Sequence, residues 1–444
     1  MVKMTKVLAS LAMAGMLVTM VPFNVVAAET APTRLAGDTA AETAVAIADQ
    51  TGWTGTAILA SSASYGMVDA LTAGPLATYL KAPILLQEAG SVLNPVTKAE
   101  LSKLKVKTVY VASGTAVISQ AVINELEDTM DITVMSLGGH DQFETSVNIA
   151  KKMIELGAPV SKVAVTYGWL CQDALSIASI ASNATQPILL AEKTSVPPSV
   201  QAFLSANPQI TSSDVIGGTS VISEVVKNLF PNATRHFGDS AYDTNNKVIQ
   251  DFLASIKFDQ VYVANGVTGI DALAGAPLAA QTKSPIVLTD GTIPAAVTLV
   301  NSKLMSTSVV TALGGTSVVP ANVLAAFVYK DLLVSSVSAI NHGANDRVTV
   351  TFNKNVELMT SAQLQELYNS LRAQSTLTRT VNNVADTTTL VPDKMSITFS
   401  GNTLSFDVSP VVKSDTMAKT VIYGVTMGSQ TVKDATGFVV AVQS

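Results

Sequence analysis

The stretch Gly37-Asp38-Thr39-Ala40-Ala41-Glu42-Thr43 returns as Gly139-His140-Asp141-Gln142-Phe143-Glu144-Thr145, and again as Gly238-Asp239-Ser240-Ala241-Tyr242-Asp243-Thr244. In each copy a hydrogen-bond acceptor (Thr39, Asp141, Ser240) stands three residues before a carboxylate (Glu42, Glu144, Asp243). This is the spacing of a reciprocal helix cap, in which the first side chain accepts from the first turn and the carboxylate reaches back. Apolar residues at helical spacing follow, as at Ala44, Ile47 and Ala48. The glycine ahead of each cap marks a tight turn from a strand into that helix.

Three further landmarks follow each cap in the same order. Asp-Ala-Leu begins at Asp69, Asp173 and Asp271; Pro-Ile-(Leu/Val)-Leu at Pro83, Pro187 and Pro285; Gly-Thr at Gly114, Gly218 and Gly315. The first gap is 30, 32 and 31 residues, the second is 14 in every copy, and the third is 31, 31 and 30. Drift this small identifies three tandem units of roughly 100 residues each.

A β-rich run leads into each Asp, and a helix of small residues follows it. The Pro-Ile-Leu-Leu segments are wholly apolar, as strands buried on both faces of a parallel sheet must be. A second helix opens near Pro95, Pro198 or Pro294, where proline at the first turn loses no helical hydrogen bond. Strand alternating with helix predicts an α/β fold of three Rossmann- or flavodoxin-like units. The repeated Asp falls at a strand-to-helix loop, where such folds bind ligands; the simpler reading is a helix cap. Asp69, Asp173, Asp271, Gly114, Gly218 and Gly315 are therefore read as a structural motif.

Composition narrows the function classes. The 444 residues are 48% hydrophobic and only 14% charged, which buried parallel strands and Ala-rich helices explain. A lone cysteine cannot close an intrachain disulfide or build a thiolate metal site. His140, His236 and His342 show no ligand spacing, so neither metal nor cofactor is expected. Lys and Arg number 27 against 33 acidic residues with no basic run, which argues against nucleic acid. No enzyme is expected either. Cys171 is the one candidate nucleophile, and the matching positions, Met67 and Gly269, carry no such chemistry, so it reads as a small apolar filler. Met1 to Ala28 reads as a secretory signal, with Lys3 and Lys6 before the apolar run Val7 to Val21 and a Val26-Ala27-Ala28 cleavage pattern. That run is too short to span a membrane, and the mature protein is expected to start near Glu29.

At these landmarks the chain resembles the cell-wall-binding repeat type 2 modules of Gram-positive surface proteins. Arg34-Leu35-Ala36-Gly37 with Glu42-Thr43-Ala44, the Asp-Ala-Leu loop and the Pro-Ile-Leu-Leu strand carry the resemblance. It implies a pseudo-threefold trimer of α/β units that holds a protein non-covalently to an anionic secondary cell-wall polysaccharide, with other surface-layer proteins as further partners. On this reading residues 29–135, 136–234 and 235–334 are the three repeats. The leading arginine is present as Arg34 and Arg235 but is Ser136 in the second copy, and the family's second arginine is replaced by Ala40, Gln142 and Ala241. Residues 29–334 hold 17 Lys and Arg against 25 Asp and Glu, so long-range attraction to a polyanion is excluded. Contacts to the polymer are assigned to Arg34, Arg235, Lys151 and Lys152, against the alternatives that the arginines pair internally and the lysines form solvated faces. A scaffold that has lost polymer affinity is the alternative function.

Past Lys330-Asp331 the pattern changes to short alternating strands, at Arg347–Phe352, Ser396–Phe399, Leu404–Phe406, Thr420–Tyr423 and Phe438–Val440, with one helical stretch near Ser361–Ala373. Residues 335–444, with eight basic and eight acidic side chains, read as a β-sandwich carrying an inserted helix; Lys433-Asp434-Ala435-Thr436-Gly437 resembles the turn before the last strand in bacterial Ig-like domains, which implies a domain of that kind.

Overall fold

The computed structural model describes residues 33–305, 307–329, 334–342, 345–352, 377–381, 384–385, 389–409 and 421–425. The signal segment, the helical stretch at 361–373, the turn at 433–437 and the strand at 438–440 lie outside them. Parallel strands in the first three-quarters of the chain are β1 (Thr33–Leu35), β2 (Thr56–Ser61), β3 (Ile84–Gln87), β4 (Thr108–Val111), β5 (Thr133–Ser136) and β6 (Lys162–Tyr167). They continue as β7 (Ile188–Ala191), β8 (Ser212–Ile216), β9 (Ala233–His236), β10 (Gln260–Asn265), β11 (Ile286–Thr289) and β12 (Val309–Leu313). Three four-stranded sheets result, ordered β3-β2-β4-β5, β7-β6-β8-β9 and β11-β10-β12-β1. Every residue of β3, β7 and β11 is buried, including the polar Gln87 and Thr289 that end β3 and β11, as strands covered on both faces of a parallel sheet must be.

Each leading strand joins the sheet of a neighbouring copy. β5 and β9, which precede the second and third caps, complete sheets one and two, while β1 closes sheet three with Arg34 opposite Ala312. The Thr33 and Thr311 hydroxyls, 278 residues apart, meet at 2.6 Å. The first strand thus pairs an edge that sheet three would otherwise expose, and the three units form a closed ring.

The helices used below are α1 (Ala40–Thr51), α2 (Ser64–Ala70), α3 (Gly74–Leu80), α4 (Gln142–Glu155), α5 (Gln172–Asn183), α6 (Ala241–Asp251) and α7 (Ile270–Gln281). Caps form where the repeats predict them. Thr39 accepts from the Glu42 N–H and Ser240 from the Asp243 N–H, each carboxylate returning to its cap residue's backbone. In the second copy Asp141 accepts from Glu144 at 2.7 Å, but Glu144 reaches one residue further back, to the His140 N–H. The threonine that closes the motif in every copy also stabilises the turn, because Thr43, Thr145 and Thr244 accept from the N–H of Gly37, Gly139 and Gly238 at 3.0–3.1 Å. A Cβ on any of those glycines would lie 2.2–2.5 Å from the Cβ of the carboxylate residue in the cap, so only glycine fits this close approach.

Helices α3, α5 and α7 pack pairwise against one another at the centre. Their small residues allow it: a Cβ on Gly74 would sit 2.7 Å from the Ser182 hydroxyl and 3.4 Å from Ala276. One continuous apolar core therefore runs through all three units, from Ala44 to Phe327.

The remaining sheets are antiparallel and separate. Strands β13 (Val334–His342), β14 (Asn345–Phe352), β15 (Leu377–Val381), β16 (Val384–Ala385), β17 (Val391–Pro392), β18 (Thr398–Ser400), β19 (Thr403–Ser409) and β20 (Val421–Val425) form β13-β14-β19-β17, with β18 also on β19, and β16-β15-β20. Along β14 burial alternates, with Val348, Val350 and Phe352 inward. The expected strand at Ser396–Phe399 begins later, because Lys394–Ser396 forms a 3-10 turn that the Asp393 side chain caps.

Candidate functional site

In each unit the chain leaves the first strand of the sheet to one side and returns on the other. Strand order thus reverses between β2 and β4, β6 and β8, and β10 and β12. A crevice opens outside the carboxyl ends of strands at such a point, and the Asp-Ala-Leu and Gly-Thr landmarks meet there.

The repeated carboxylates do not cap their helices. In units two and three the cap positions are Cys171 and Gly269, which form no side-chain cap bond, while Asp173 and Asp271 lie inside the first turn. A Cβ on Gly217 or Gly314 would come within 2.4 Å of Asp173 Oδ2 or Asp271 Oδ2, and both glycines have positive φ, +110° and +103°. The Gly-Gly-Thr sequence is thus a steric demand of the buried aspartate. In unit one Ser113 replaces the first glycine, and the backbone of Gly114 hydrogen-bonds Asp69. Burial pushes Asp69 and Asp271 up to about 6 and Asp173 up to about 7.

The two motif arginines are wired into the loops of this crevice. Arg34 donates to the carbonyls of Gly314 (2.6 Å) and Val319 (2.9 Å). Arg235 donates to Gly217 (2.6 Å), Ile222 (2.8 Å) and Ser223 (3.3 Å), with Glu224 Oε2 at 3.4 Å. The Arg235 side chain is only 7% exposed. Each guanidinium clasps the turn that follows the Gly-Thr landmark, its fork matching carbonyls at fixed separation. Burial lowers the Arg34 pKa. Unit one has no such clasp: Ser136 occupies the position and is exposed.

The predicted lysines lie elsewhere. Lys151 is exposed and Lys152 pairs with Glu155, both near the end of α4, the opposite end from its cap and the crevice. Cys171, Met67 and Gly269 do meet: a Cβ on Gly269 would be 3.2 Å from the cysteine Sγ and 3.3 Å from Met67 Cε. Burial raises the thiol pKa, which keeps it protonated and unreactive. Among the described residues no group of three or more His, Cys, Asp or Glu side chains could hold a metal ion.

Two features escape a reading of the repeats. His236 bridges Asp214 Oδ1 (3.2 Å) and Asp251 Oδ2 (2.7 Å), and Asp214 also takes Lys162 (2.7 Å) and Gln186 (3.0 Å). Lys247 pairs with Asp251, and the imidazole leans on Phe252 at 5.0 Å. This cluster joins β8 and β9 of sheet two to α6 of the third copy. Its paired carboxylates raise the His236 pKa against the opposing effect of burial, and the cations and the imidazole lower those of Asp214 and Asp251. The second feature is a pair of exposed aromatic rings at the crevice of unit two, Trp169 after β6 and Phe237 after β9. Both could have been found by comparing copies, since His236 and Phe237 stand where the other leading strands carry Leu35-Ala36 and Leu137-Gly138.

Comparison with known proteins gives a consistent answer. The family described as Cell wall binding domain 2 (CWB2) matches residues 34–123, 136–227 and 235–324. N-acetylmuramoyl-L-alanine amidase LytC of Bacillus subtilis (strain 168) is 32% identical over 259 residues, which cover 58% of this chain and 50% of the relative. The Amidase enhancer of the same organism is 30% identical over 233 residues, 52% of this chain and 31% of that protein. Among solved structures, Cwp6 from Clostridium difficile aligns with a TM-score of 0.62 and 29% identity over 68% of this chain and 48% of its own. Cwp8 from the same organism aligns at 0.58 and 27%, over 67% and 51%. The chain spans about half or less of the length of the relatives it matches. No helix among the described residues is long and apolar enough to cross a membrane.

Proposed function

Because the chain belongs to the Cell wall binding domain 2 family, we propose that its three α/β units hold a secreted surface protein non-covalently to an anionic secondary polysaccharide of a Gram-positive cell wall. The observation that carries this reading is the threefold recurrence of a strand-order reversal at the carboxyl ends of parallel strands, the place where such folds bind ligands. Each such place is floored by a Gly-Thr loop and walled by an aspartate, which is buried in units two and three and half-buried in unit one. Repetition supports retention on a polymer, since weak contacts to successive segments of one chain multiply when their geometry allows simultaneous engagement.

The chemistry of contact follows from what is free. The arginine donors serve backbone carbonyls, and the repeat region carries 17 basic against 25 acidic residues. Affinity must then come from hydroxyl, amide and aromatic contacts to sugar, and should depend weakly on salt. The antiparallel region from residue 335 onward is read as an Ig-like domain for presentation or for contact with other surface-layer proteins. No catalytic role is assigned, and the similarity to an amidase lies in the repeat region.

Sedimentation with purified walls tests the proposal. Polymer-bearing walls should retain the protein and walls stripped of secondary polymer should release it; equal retention by both overturns the reading. The internal use of Arg34 and Arg235 favours one alternative, a repeat scaffold without polymer affinity, for which neither preparation retains the protein.

A further inference from the structure

The three crevices are not equivalent, because the second alone carries aromatic residues at both matching positions, after its first strand and after the leading strand that completes its sheet. At the carboxyl edge of sheet two, the order β7-β6-β8-β9 sets Glu192, Trp169, the Gly217-Gly218-Thr219-Ser220 loop and Phe237 side by side. Trp169 is 56% exposed and Phe237 50%. Neither is a loose surface residue. The indole ring meets Phe143 edge to face at 6.0 Å and 74°, and its N–H donates to Glu192 Oε2 at 3.1 Å. Gln142 donates to the carbonyl of Gly168, next to the tryptophan. The Phe237 ring lies beside Gly218, where a Cβ would be 3.5 Å away. Between the rings lie the exposed residues Thr219 and Ser220. In unit three the matching positions are Val267 and Ala36, and in unit one they are Tyr65 and Gly138, so the pair of rings is particular to unit two.

An aromatic ring held rigid with its face open costs little conformational entropy on binding, and its negative face attracts polarised C–H groups. Two such faces beside hydroxyls and a carboxylate suit a ligand that is apolar on one side and hydroxylated at its rim. A pyranose ring has that form. β6 and β9 are two strand spacings apart, about 10 Å, a span suited to a disaccharide segment. We propose that unit two carries a saccharide subsite in which Trp169 and Phe237 stack on successive sugar rings of the wall polymer while Thr219, Ser220 and Glu192 meet their hydroxyls. This rests on the wall-polymer reading above and makes unit two the principal grip on the glycan.

The test uses the whole chain and two probes: glycan released from Gram-positive walls by hydrofluoric acid, and the peptidoglycan sacculi left behind. Trp169→Ala should weaken glycan binding about tenfold, the equivalent of one stacking contact. Phe237→Ala should weaken it severalfold, Trp169→Phe should recover most of the loss, and Val267→Ala should bind as wild type. Because the chain has two tryptophans, a Trp53→Phe variant reports on Trp169 alone, and its emission should shift to the blue when glycan covers the indole. If the wild-type chain binds the glycan while Trp169→Ala binds equally well, or the emission does not move, the subsite is refuted and the wall-polymer function stands. A shift produced only by sacculi refutes the choice of occupant. If the wild-type chain binds neither probe, both proposals fall together.

Discussion

Units one and two share a strand order and a repeated aspartate, yet they close the crevice over that aspartate differently. Unit two uses Gly217 at positive φ against Asp173 and a clasping Arg235. Unit one uses Ser113 with a Gly114 backbone bond to Asp69, and Ser136 where the arginine would be. The comparison teaches that the arginine and the double glycine form one device. A guanidinium that holds loop carbonyls allows the turn to press on a buried carboxylate, and where the clasp is absent the loop takes another path. The same contrast separates His236 from Leu137 and Phe237 from Gly138. At these positions unit two has a charged link to the next copy and an exposed phenyl ring, where unit one has an apolar leucine and a glycine.

Substitutions at four places in unit two, three of them matched by one in unit one, probe that contrast, beginning with the largest effect. Gly217→Ala places a methyl 2.4 Å from Asp173 Oδ2 and 2.7 Å from Val221, at a φ that L-residues avoid. It should cost about 4 kcal/mol from strain and overpacking together. Ser113→Ala, at the matching place in unit one, should stay within about 1 kcal/mol, because its buried Oγ has no hydrogen-bond partner to lose. Urea unfolding measures both, and equal losses would show that the two loops are built alike.

Arg235→Ala strips the Gly217 and Ile222 carbonyls of their donor and removes one of two from Ser223; it should cost about 3 kcal/mol, against less than about 0.5 kcal/mol for Ser136→Ala. An Arg235 variant that keeps full stability yet loses wall retention would return that residue to the polymer-binding set.

Asp173→Asn tests the buried carboxylate. Folding raises the Asp173 pKa to about 7 from an ordinary value of 3.8. Its favourable contribution is therefore complete below 3.8 and is lost as pH climbs to about 7. Relative to wild type, the variant should gain stability across that window by roughly 2 kcal/mol or more and level off above it. A stability difference that does not change with pH would show that Asp173 is ionised without penalty. Asp69→Asn, whose carboxylate rises only to about 6, should give a smaller gain that ends earlier.

The smallest expected effect belongs to His236. Its folded pKa is raised above 6.5, so its contribution is fully present below 6.5 and fades as pH rises through the folded value. Asp214 and Asp251 are lowered; their contribution is present above 3.8 and fades in more acid solution. The link between copies two and three should hold best between those limits. His236→Gln should flatten the alkaline side of the unfolding profile while leaving the acid side, and a profile unchanged by the substitution would rule out this role.

Much of the fold was legible because it is written in local spacing. Thr39 with Glu42 and Ser240 with Asp243 cap helices that begin where the repeats predict, and the apolar runs at Ile84, Ile188 and Ile286 are fully buried strands. These depend on backbone groups within a few residues, so a short window of sequence contains the whole cause. The site was less legible. Asp69, Asp173 and Asp271 were visible as a repeat, but a cap and a crevice-facing carboxylate share the same local pattern. Arg34 and Arg235 offered charge without a partner, and only the fold supplied the carbonyls.

By itself, the sequence determined three α/β units, their order, their caps and the glycines at their turns, since each follows from side chains acting on nearby backbone. Tertiary structure alone decided that β1 closes the sheet of a copy begun some 200 residues later, beside β12. It also decided that Met67, Cys171 and Gly269 meet at one centre, and that Trp169 and Phe237 both lie exposed beside the second crevice. Such pairings are chosen by the free energy of burying whole faces and satisfying distant edges. That quantity belongs to the assembled surfaces, and no stretch of chain carries it alone.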